Sequence, residues 1–575
     1  MDKTILRRPV PEFLMTANLP PLLRRVYAAR GIRSIDELEQ SLKHLLPYSS
    51  LLGIEQAVTC LYQALSQQQH ILILGDFDAD GATSTALAVS ALQAFGAQQV
   101  SYLVPNRFEY GYGLTSEIVE VAAERNPQLI VTVDNGISSI AGVVRANELG
   151  IQVLITDHHL SAETLPPARA IVNPNQPGCF FPSKNLAGVG VIFYVMLALR
   201  NHLRQVNWFA EQNLPEPNMS NLLDLVALGT VADVVPLDQN NRILVQQGLN
   251  RIRQNKARPG IAALLKIANR SKEHLVASDL GFALGPRLNA AGRLEDMSLG
   301  IACLLSQDPI QAESMALRLD ALNKERREIE ATMQQQAQSV LSQLKINADL
   351  PLGVCLHDSS WHQGVIGILA SRIKDQLHRP VIAFASTDSV LLKGSARSIN
   401  GVHIRDVLDA IAKKQPQLIS KFGGHAMAAG LSLHQENYPA FCQAFAEEVA
   451  RHISLDDIQG KITTDGELTA EHFCIEIADL LRNAGPWGQA FPEPLFDNYF
   501  YIVEQRIVGH KHLKLQLQLE QSHLVFDAIA FNIDIEKWPN YRARKIHGVY
   551  RLDVNEFRGV RNVQLMIEHL TVVEN

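Results

Sequence analysis

The sequence predicts an α/β protein in which a doubly wound parallel-sheet domain is joined by a long helix to a smaller α/β domain, followed by a β-barrel. Three observations predict this order. Apolar runs alternate with amphipathic stretches over residues 70–175, as in βα units. Residues 310–350 contain neither Gly nor Pro and are amphipathic, which favours one long helix. After about residue 461, apolar and polar residues alternate as in half-buried strands.

Length and composition limit the number of domains and the class of protein that the sequence encodes. A chain of 575 residues holds roughly three to five folding units. With 47% hydrophobic and 19% charged residues, each unit has enough apolar material for a core, which argues against a largely disordered protein. The net charge of -7 gives no overall attraction to nucleic acid. Binding to a polyanion would therefore depend on local basic patches or on bound cations.

Sequence features also bear on location. The longest apolar stretch, residues 189–199, is too short to span a bilayer, and the first residues lack the apolar core of an export signal. Six cysteines are scattered without a C-x-x-C pair, which fits reduced thiols rather than a disulfide scaffold or a thiolate zinc site. We expect a cytoplasmic protein with no membrane segment.

The first half of the chain justifies the parallel sheet. Residues 1–50 predict a short, locally basic helical segment that packs on the next domain. Residues 185–300 are mostly helical in pattern. The predicted strands of the sheet are residues 70–74, 100–104, 129–133, 153–156 and 170–172.

The second half justifies the smaller α/β unit and the barrel. Strand-like residues 352–356 and 381–385 flank helix-like residues 364–377, and a glycine-rich turn follows at residues 423–425. The alternation after residue 461 predicts a small antiparallel barrel. The expected domains are residues 1–50, 51–309, 310–350, 351–455 and 460–575.

Acidic side chains follow three of the predicted strands. Asp76, Asp78 and Asp80 come after the first strand, Asp134 follows residues 129–133, and Asp157-His158-His159 follows residues 153–156. Because ligands bind outside the carboxyl ends of parallel strands, we expect these side chains to converge at one edge of the sheet. Crowded, partly desolvated carboxylates repel one another, so such a cluster needs cations or protons.

The ligand types indicate the ion. Oxygen and imidazole ligands without thiolate suit Mn²⁺ or Mg²⁺, and histidine favours Mn²⁺. So many ligands suggest two ions, an arrangement that serves phosphodiester or phosphoanhydride hydrolysis. An isolated Asp-rich turn is more often a solvated loop or a helix N-cap, but that explanation does not account for three acidic strand ends in consecutive units.

Two other enzyme classes are disfavoured. Gly75 and Gly81 do not form the G-x-G-x-x-G pattern of a dinucleotide loop, and acids at that turn would repel a pyrophosphate. No Ser or Cys in a strained elbow accompanies Asp157-His158-His159, so the triplet is not a serine-type relay.

The ordered motifs resemble those of the DHH phosphoesterase superfamily, and within it the bacterial exonucleases that degrade single-stranded DNA from the 5′ end. The resemblance covers nearly the whole chain. The motifs that carry it are Asp76-Phe77-Asp78-Ala79-Asp80-Gly81, Val133-Asp134-Asn135-Gly136, Asp157-His158-His159, Gly229-Thr230-Val231-Ala232-Asp233, Gly285-Pro286-Arg287-Leu288-Asn289-Ala290-Ala291-Gly292-Arg293 and Gly423-Gly424-His425-Ala426-Met427-Ala428-Ala429-Gly430.

The resemblance implies a catalytic set of eight residues. Asp76 and His159 would bind or support the ions, Asp157 would orient a histidine, and Asp134 would bridge two ions. The residues alone favour a plain helix terminus for Asp233, and only the resemblance makes it a ligand. The implied metal ligands are Asp78, Asp80, Asp134, His158 and Asp233.

The resemblance also implies a substrate-holding half. The second α/β unit is similar to the DHHA1 domain, which faces the metal site across a cleft in this family, and the barrel is similar to an oligonucleotide-binding (OB) fold. Taken singly, each substrate contact that the resemblance implies also has a plain structural explanation, such as a surface ion pair or a turn. The implied substrate contacts are Arg107, Arg287, Arg293, Ser395, Arg397, Gly423, Gly424 and His425. The basic residues of the barrel are Arg506, His510, Lys511, His512, Lys514, Arg558 and Arg561, and the candidate stacking residues are Phe108, Tyr110 and Tyr112.

The expected function is therefore a Mn²⁺- or Mg²⁺-dependent, single-stranded-DNA-specific exonuclease that releases 5′-mononucleotides in recombination and repair. The family implies a single-strand-binding protein and a helicase as partners, and we expect a monomer. Two alternatives stay open: a phosphodiesterase acting on short oligonucleotides, cyclic dinucleotides or pyrophosphate, and a non-catalytic single-strand-binding scaffold at a replication fork.

Overall fold

The computed structural model describes residues 3–11, 19–106, 109–110, 113–347, 350–387, 390–520, 522–557 and 559–573. The chain divides into two compact units. The large unit contains Arg7–Asn323 and Thr464–Asn575, and the small unit contains Met1–Leu6 and Lys324–Thr463. Among the described residues, no helix combines the length and the hydropathy needed to cross a bilayer.

Seventeen strands are present in the described part of the chain. In chain order they are β1 Thr4–Arg7, β2 Ile71–Leu74, β3 Val100–Leu103, β4 Leu129–Val133, β5 Gln152–Thr156, β6 Ala170–Val172, β7 Val354–Asp358, β8 Val381–Ser386, β9 Leu391–Arg397, β10 Lys421–Gly424, β11 Ala428–His434, β12 Lys461–Thr464, β13 Phe496–Val508, β14 His512–Leu519, β15 Val525–Ala530, β16 Lys545–Phe557 and β17 Val560–Val572.

The helices connect and cover these strands. In chain order they are α1 Pro21–Ala28, α2 Ile54–Ser66, α3 Ala79–Ala94, α4 Ser116–Ala123, α5 Ile140–Glu148, α6 Gly188–Gln205, α7 Trp208–Glu211, α8 Leu223–Ala232, α9 Gln239–Arg253, α10 Pro259–Ile267, α11 Ala277–Asp279, α12 Gly285–Leu294, α13 Ser298–Leu305, α14 Pro309–Asn347, α15 Ile366–Leu377, α16 Ile404–Lys414, α17 Tyr438–His452, α18 Leu455–Ile458 and α19 Ile475–Asn483. A π-helical turn, Leu280–Leu284, lies between α11 and α12.

The large unit contains the predicted parallel sheet. Its five strands have the order β3-β2-β4-β5-β6, and all neighbours are parallel. Strands β2 and β4 are apolar and almost wholly buried, as expected for strands covered on both faces. The chain moves from β2 outward to β3 and then returns to β4 on the other side of β2. This reversal of direction marks the switch point where α/β sheets bind ligands.

Helices bury the sheet and position the site. Helix α3 packs against α6 and α8, and its side chains are buried over most of its length. Helix α14 confirms the prediction of a long helix after residue 310. It has charged and apolar residues interleaved, so only part of its surface is buried.

The C-terminal strands form a closed barrel with the order β13-β14-β15-β17-β16. The prediction of a small antiparallel barrel is confirmed except for one pair of strands, because β15 pairs with β17 in parallel. Alternation along a strand shows which side chains point inward, but it does not show the direction of the neighbouring strand. Inside the barrel Phe473 stacks on Phe526 with ring centroids 4.5 Å apart, and Tyr550 is fully buried.

The N-terminal segment differs from the prediction of helix alone. Strand β1 pairs with β12, which is more than 450 residues away in the chain. Helix α1 contacts the region before the barrel as well as the first domain, since the Tyr27 ring lies 6.0 Å from that of Trp487. Arg30 follows the helix and forms a bidentate pair with Asp465 at 2.8 and 2.9 Å.

The small unit contains a five-stranded sheet with the order β10-β11-β9-β8-β7, in which only the β7–β8 pair is parallel. The prediction of a turn at residues 423–425 was wrong for the two glycines. Gly423 and Gly424 are the last residues of β10 and pair with Gly430 and Ala429 of β11. The turn begins only after them.

Candidate metal centre

Three neighbouring strands bring the predicted acids to one edge of the large unit's sheet. The loop after β2 holds Asp76 and Asp78, the residue after β4 is Asp134, and β5 is followed by Asp157. A fourth contribution comes from Asp233, which caps the carboxyl end of α8. Asp134 adopts a left-handed backbone conformation with φ of 63°.

Asp78 acts as the N-cap of α3. Its Oδ1 accepts hydrogen bonds from the backbone N–H groups of Asp80 and Gly81, both at 3.0 Å. Ligand oxygens of Asp76, Asp78 and Asp134 nevertheless lie within 4.8 Å of one another. A helix cap and a candidate metal ligand are thus the same side chain, so the two explanations of an Asp-rich turn do not exclude each other.

Asp80 lies in the first turn of α3, and its buried carboxylate reaches the start of α6. Its two oxygens accept hydrogen bonds from the backbone N–H groups of Gly188 (2.6 Å) and Val189 (2.9 Å) at the start of α6. A Cβ at Gly188 would lie 2.6 Å from the Cβ of Asp134, and one at Gly229 would lie 2.9 Å from Oδ1 of Asp80. Only glycine at these two positions leaves room for the carboxylates.

The two histidines have different surroundings. His158 Nε2 lies 3.1 Å from Oδ1 of Asp134 and 3.5 Å from Oδ2 of Asp233. His159 Nδ1 lies 2.7 Å from Oδ1 of Asp157. Asp157 therefore orients His159 in particular, while His158 faces the carboxylates.

Backbone groups hold Asp157 in place. Its Oδ2 accepts a hydrogen bond from the N–H of Ile137 at 2.9 Å, and its Oδ1 accepts from the N–H of His158 at 2.7 Å. Burial would raise the pKa of Asp157, but the hydrogen bond and charge of His159 outweigh it and lower the pKa to about 2. The same pair raises the pKa of His159 to about 9, against the lowering effect of burial.

The pKa values of the remaining carboxylates are raised, in contrast to the lowered pKa of Asp157. Burial, followed by the charge of Asp78, raises the pKa of Asp80 to about 7. The pKa values of Asp134 and Asp233 are also raised well above 3.8, first by burial and then by the neighbouring acids. These side chains repel one another when ionised, and a cation placed among them would remove that penalty.

The donor set fits divalent metal ions. Ligand atoms converge in three groups, each within 4.8 Å. The oxygen and imidazole donors suit Mn²⁺ or Mg²⁺ and include no thiolate. The groups are Asp76–Asp78–Asp134, Asp134–His158–His159 and Asp80–His158–Asp233.

Helix α12, which contains the Gly285–Arg293 motif, packs against the Asp76–Asp80 loop. Asn289 Oδ1 accepts a hydrogen bond from the N–H of Ala79 at 2.7 Å. A Cβ at Gly292 would lie 1.8 Å from the carbonyl oxygen of Phe77, so only glycine allows this approach. This part of the motif therefore fixes the loop that holds Asp78.

Comparisons with known proteins identify the relatives of this chain. Family models match the N-terminal domain of the DHH family at residues 70–230, the DHHA1 domain at 348–451 and the RecJ OB domain at 464–569. The single-stranded-DNA-specific exonuclease RecJ of Dickeya dadantii is 58% identical over 565 residues, which are 98% of each chain. The protein of the same name from Escherichia coli is 55% identical over 566 residues, also 98% of each chain.

The chain belongs to the RecJ family.

Solved RecJ structures share its fold. The Mn²⁺ complex of RecJ from Thermus thermophilus aligns with 97% of this chain and 76% of its own, with a TM-score of 0.78 and 29% identity. A second structure, an exonuclease RecJ bound to manganese, aligns with 71% of this chain and 98% of its own, with a TM-score of 0.58 and 33% identity. The predicted fold class, including the barrel, is confirmed by these matches and by the strand order.

The small unit of this RecJ chain brings two of the predicted substrate residues together. Arg397 Nη1 donates hydrogen bonds to Ser395 Oγ at 3.0 Å and to the carbonyl of Ala396 at 2.8 Å. A Cβ at Gly367, in the first turn of α15, would lie 2.8 Å from Arg397 Nη2 and 3.0 Å from Ser395 Oγ. The guanidinium and the hydroxyl thus lie together beside the first turn of α15, and this pair of donors suits an anion.

The other predicted substrate residues are more dispersed. Gly424 has φ of 142°, and a Cβ there would meet the carbonyl of Ala428 at 2.5 Å, whereas Gly423 faces open space. His425 is exposed, and its N–H donates to the carbonyl of Ala428 at 2.8 Å. Arg293 is half-buried in the last turn of α12.

Of the predicted substrate contacts, Arg287 forms an ion pair inside the large unit and Arg107 lies outside the described residues. Arg287 is mostly buried, and its Nε and Nη2 lie 2.9 and 2.8 Å from Oδ1 of Asp320, so its guanidinium serves packing inside the large unit. A sequence cannot reveal this ion pair, because the partner is 33 residues away on another helix. Arg107, Phe108 and Tyr112 lie outside the described residues, as does Arg558.

Some functional groups were missed from the sequence. The N–H groups of Gly188 and Val189 and the close approaches of Gly229 and Gly292 build the site without contributing a reactive side chain. The signal in the sequence was the pair of glycines, Gly188 and Gly190, in the first turn of the apolar helix α6.

Proposed function

We propose that this chain is a metal-dependent exonuclease that is specific for single-stranded DNA and acts in recombination and repair. The observation that carries the proposal is a buried cluster of acids and histidines at a sheet switch point, in a chain 58% identical along its length to a single-stranded-DNA-specific exonuclease. Every acid and histidine of the resemblance is retained, which disfavours a non-catalytic scaffold.

We further propose the roles of the clustered residues. Asp78, Asp80, Asp134, His158 and Asp233 hold Mn²⁺ or Mg²⁺, and Asp76 and His159 complete the site. Divalent ions bound there lower the pKa of water and neutralise charge on a phosphate group. The hydrogen bond with Asp157 occupies Nδ1 of His159, so Nε2 is the nitrogen that would bind a metal ion after losing its proton.

Two ions rather than one are supported by the way the groups overlap. Asp134 belongs to two of the three ligand groups, and so does His158. Asp134 is buried and is affected by the charges of four neighbouring acids. A single divalent ion would leave much of that repulsion in place, which is why we assign Asp134 as the shared ligand of two ions.

The direction of degradation is the next part of the proposal. An enzyme that starts at a 5′ end must recognise a terminal phosphate. In the small unit, Arg397 offers a guanidinium and Ser395 a hydroxyl beside the first turn of α15, and both groups bind phosphate well. We therefore assign this pocket to the 5′ phosphate, with 5′-mononucleotides as products.

Each predicted domain has its own role in the proposed function. We propose that residues 51–309 hold the metal, residues 351–455 hold the end of the strand and residues 460–575 bind the strand elsewhere, with residues 1–50 and 310–350 connecting them. An extra OB barrel favours a long polymer over dinucleotides or pyrophosphate. A single-strand-binding protein and a helicase fit as partners of such an enzyme, which we expect to act as a monomer.

The test uses single strands labelled at either end and incubated with the full chain and Mn²⁺. Release of label as mononucleotides from the 5′ end first supports the proposal. Preferential loss of the 3′ label contradicts the direction, and faster hydrolysis of a dinucleotide than of a long strand contradicts the polymer substrate.

One variant isolates the phosphate pocket. Arg397→Ala should raise KM for a 5′-phosphorylated strand by roughly tenfold to a hundredfold, the value of a charge-assisted hydrogen bond, with little change in Mn²⁺ binding. Arg405→Ala, an exposed arginine on α16 of the same unit, is the matched control. Equal kinetics of Arg397→Ala on strands with and without the 5′ phosphate, matching the parent, would remove Arg397 from the pocket.

A further inference from the structure

The barrel has two outward faces of different chemistry. Barrels with this strand order usually bind oligonucleotides on their second and third strands, which here are β14 and β15. On that face Lys514 lies 4.0 Å from Asp527, so its charge is partly balanced. Phe526 of β15 points into the barrel with the buried Ala528 and Ala530, where it stacks on Phe473. Phe531, directly after β15, is 51% exposed and packs edge-on against His512, so the usual binding face has an aromatic ring at its end but no net positive charge at its centre.

The face formed by β13 and β16 is aromatic. Tyr499 and Tyr501 alternate with buried residues along β13 and are 37% and 42% exposed, so both rings point away from the barrel core. They are two residues apart on one strand, which places them about 7 Å apart on the same face. Val503 continues this face and is 54% exposed.

Side chains of β16 hold the two rings in position. Tyr499 pairs with His547 and Tyr501 pairs with Lys545 across the strands. The His547 ring stacks on Tyr499 at 4.4 Å, and Lys545 Nζ lies 5.2 Å from the Tyr499 ring and 5.8 Å from the Tyr501 ring. Lys545 also forms an ion pair with Glu520, which fixes its stem. The rings are thus preorganised before any ligand arrives.

Positive charge lies at one end of this face. The segment before β16 contains the exposed residues Tyr541, Arg542 and Arg544. The N–H of Ile502 donates to the carbonyl of Arg544 at 2.9 Å, which places this segment beside β13. Within the described part of the chain, neither arginine has an acidic partner within ion-pair distance. The Tyr501 ring and the exposed part of the Tyr499 ring thus lie beside guanidinium groups that no acid balances among the described residues, a combination that binds single-stranded nucleic acid.

We propose that single-stranded DNA crosses the barrel on the β13–β16 face, with bases stacked on Tyr499 and Tyr501 and phosphates paired with Arg542 and Arg544. This inference rests on the proposed function, because it assumes that the chain acts on single strands. It differs from the expectation based on His510, Lys511, His512 and Lys514, which belong to β14 and the turn before it. Selectivity for single strands follows, because a base within a duplex has no free face to stack on a tyrosine ring.

The experiment measures equilibrium binding of the full chain to a fluorescent oligothymidylate of about 30 nucleotides, which exceeds the ~4–16 nucleotides that one OB barrel covers. EDTA prevents cleavage. The double variant Tyr499→Ala/Tyr501→Ala should bind at least roughly tenfold more weakly, since stacking on one ring contributes about that much per base. The double variant Tyr499→Phe/Tyr501→Phe keeps both rings and should bind like the parent. Gln516→Ala, an exposed change on β14, is the matched control.

A second variant keeps the test decisive if loss of Tyr499 perturbs the barrel. Arg542→Ala/Arg544→Ala changes two exposed side chains with little packing. Removing two phosphate contacts should lower the slope of log K against log salt concentration by about 1.4, because each contact to a single strand contributes about 0.7.

The outcomes are distinct. Parent-like binding by both the tyrosine-to-alanine variant and the arginine variant overturns the β13–β16 assignment, as does a larger loss in Gln516→Ala. A change in sedimentation with unchanged DNA binding would make this face a contact between copies of the chain, and would also overturn it. If the unsubstituted chain neither binds nor degrades single strands, the proposed function itself has failed.

Discussion

Two groups of buried carboxylates in the large unit differ in what balances their charge. In the metal centre, Asp80, Asp134 and Asp233 have raised pKa values because of burial and because they face other acids. Asp497 at the start of β13 is also buried, yet Arg7 donates to it at 2.7 Å and His547 lies 2.9 Å away. Although burial opposes it, these partners hold the pKa of Asp497 well below its usual value.

The comparison shows how to separate a binding site from a structural network. Burial of a carboxylate is costly in both regions. The chain itself supplies cations to Asp497, whereas in the metal centre neighbouring acids add to the cost. A fold that keeps such a cluster gains by it only when a cation from solution is bound. The sign of the pKa shift therefore distinguishes a site that needs an external ion from one that does not.

The largest expected effect comes from Asp134→Asn. Asn tolerates the left-handed backbone at this position and keeps the shape of the side chain. We expect Mn²⁺-dependent hydrolysis to fall by about three orders of magnitude, comparable to the loss of a major electrostatic contact to the transition state. In EDTA the variant should be at least as stable as the parent, because repulsion is relieved.

The measurements are turnover of a labelled single strand and Tm with and without Mn²⁺. The exposed Glu124→Gln serves as the control. Parent-like turnover, or an unchanged rise of Tm on adding Mn²⁺, would show that the cluster does not need Asp134 to hold its ions.

Asp497→Ala should have the reverse effects of Asp134→Asn: it should lower stability and leave the response to Mn²⁺ unchanged. It leaves Arg7, Thr464 and His547 without their common acceptor, so the free energy of unfolding should fall by about 3 kcal/mol, the low end for a broken buried pair because Arg7 is half-exposed and can be rehydrated. Urea unfolding measures this loss. The Tm increase caused by Mn²⁺ should match the parent's, and a smaller increase would mean that the two regions are coupled.

Asp157 lies between the two cases, because it borders the metal centre and yet has a lowered pKa. Asp157→Asn replaces one acceptor oxygen by an NH₂ group and so loses part of the contact with His159. We expect Mn²⁺ affinity to fall by about tenfold to a hundredfold, the usual effect of losing the partner of a ligand histidine. Competition with a fluorescent chelator measures it. If affinity is unchanged, His159 is not held for the metal by Asp157.

The sequence predicts the metal centre better than the Asp497 network for a physical reason. Acids at consecutive strand ends must meet, because parallel strands end at one edge of the sheet, so Asp78, Asp134 and His158 could be placed without coordinates. Arg7 and Asp497 are 490 residues apart, and neither β1 nor β12 is long enough to show a clear period. Asp233, at the end of an apolar helix, needed the family resemblance as well.

For the substrate residues too, the sequence predicts contacts within one strand but not contacts that depend on tertiary packing. Arg397 and Ser395 are two residues apart on one strand, so their proximity follows from the alternation of β9. The pairing of Arg287 with Asp320 depends on how two helices pack, which no local pattern encodes. The open rings of Tyr499 and Tyr501 were missed because alternation gives the inward face of a strand but not what covers the outward one.

The smallest expected effect is in the pH dependence of stability. The free energy of unfolding should change with pH in opposite directions for Asp497 and for Asp134. Because the pKa of Asp497 is lowered on folding, its contribution is complete above the ordinary value of 3.8 and is lost as pH falls below it. The stability gap between the parent and Asp497→Asn should therefore narrow below about pH 4, by up to about 1.4 kcal/mol per pH unit.

For Asp134 the folded pKa is raised, so its contribution is present below 3.8 and is lost as pH rises. In EDTA, Asp134→Asn should gain on the parent as pH increases from about 4 to 7.5, and saturating Mn²⁺ should remove that gain. Urea titrations across this range measure both slopes. Slopes of the same sign in the two variants would mean that the acids of the metal centre are already balanced by groups of the protein, and that the contrast with Asp497 is not electrostatic in origin.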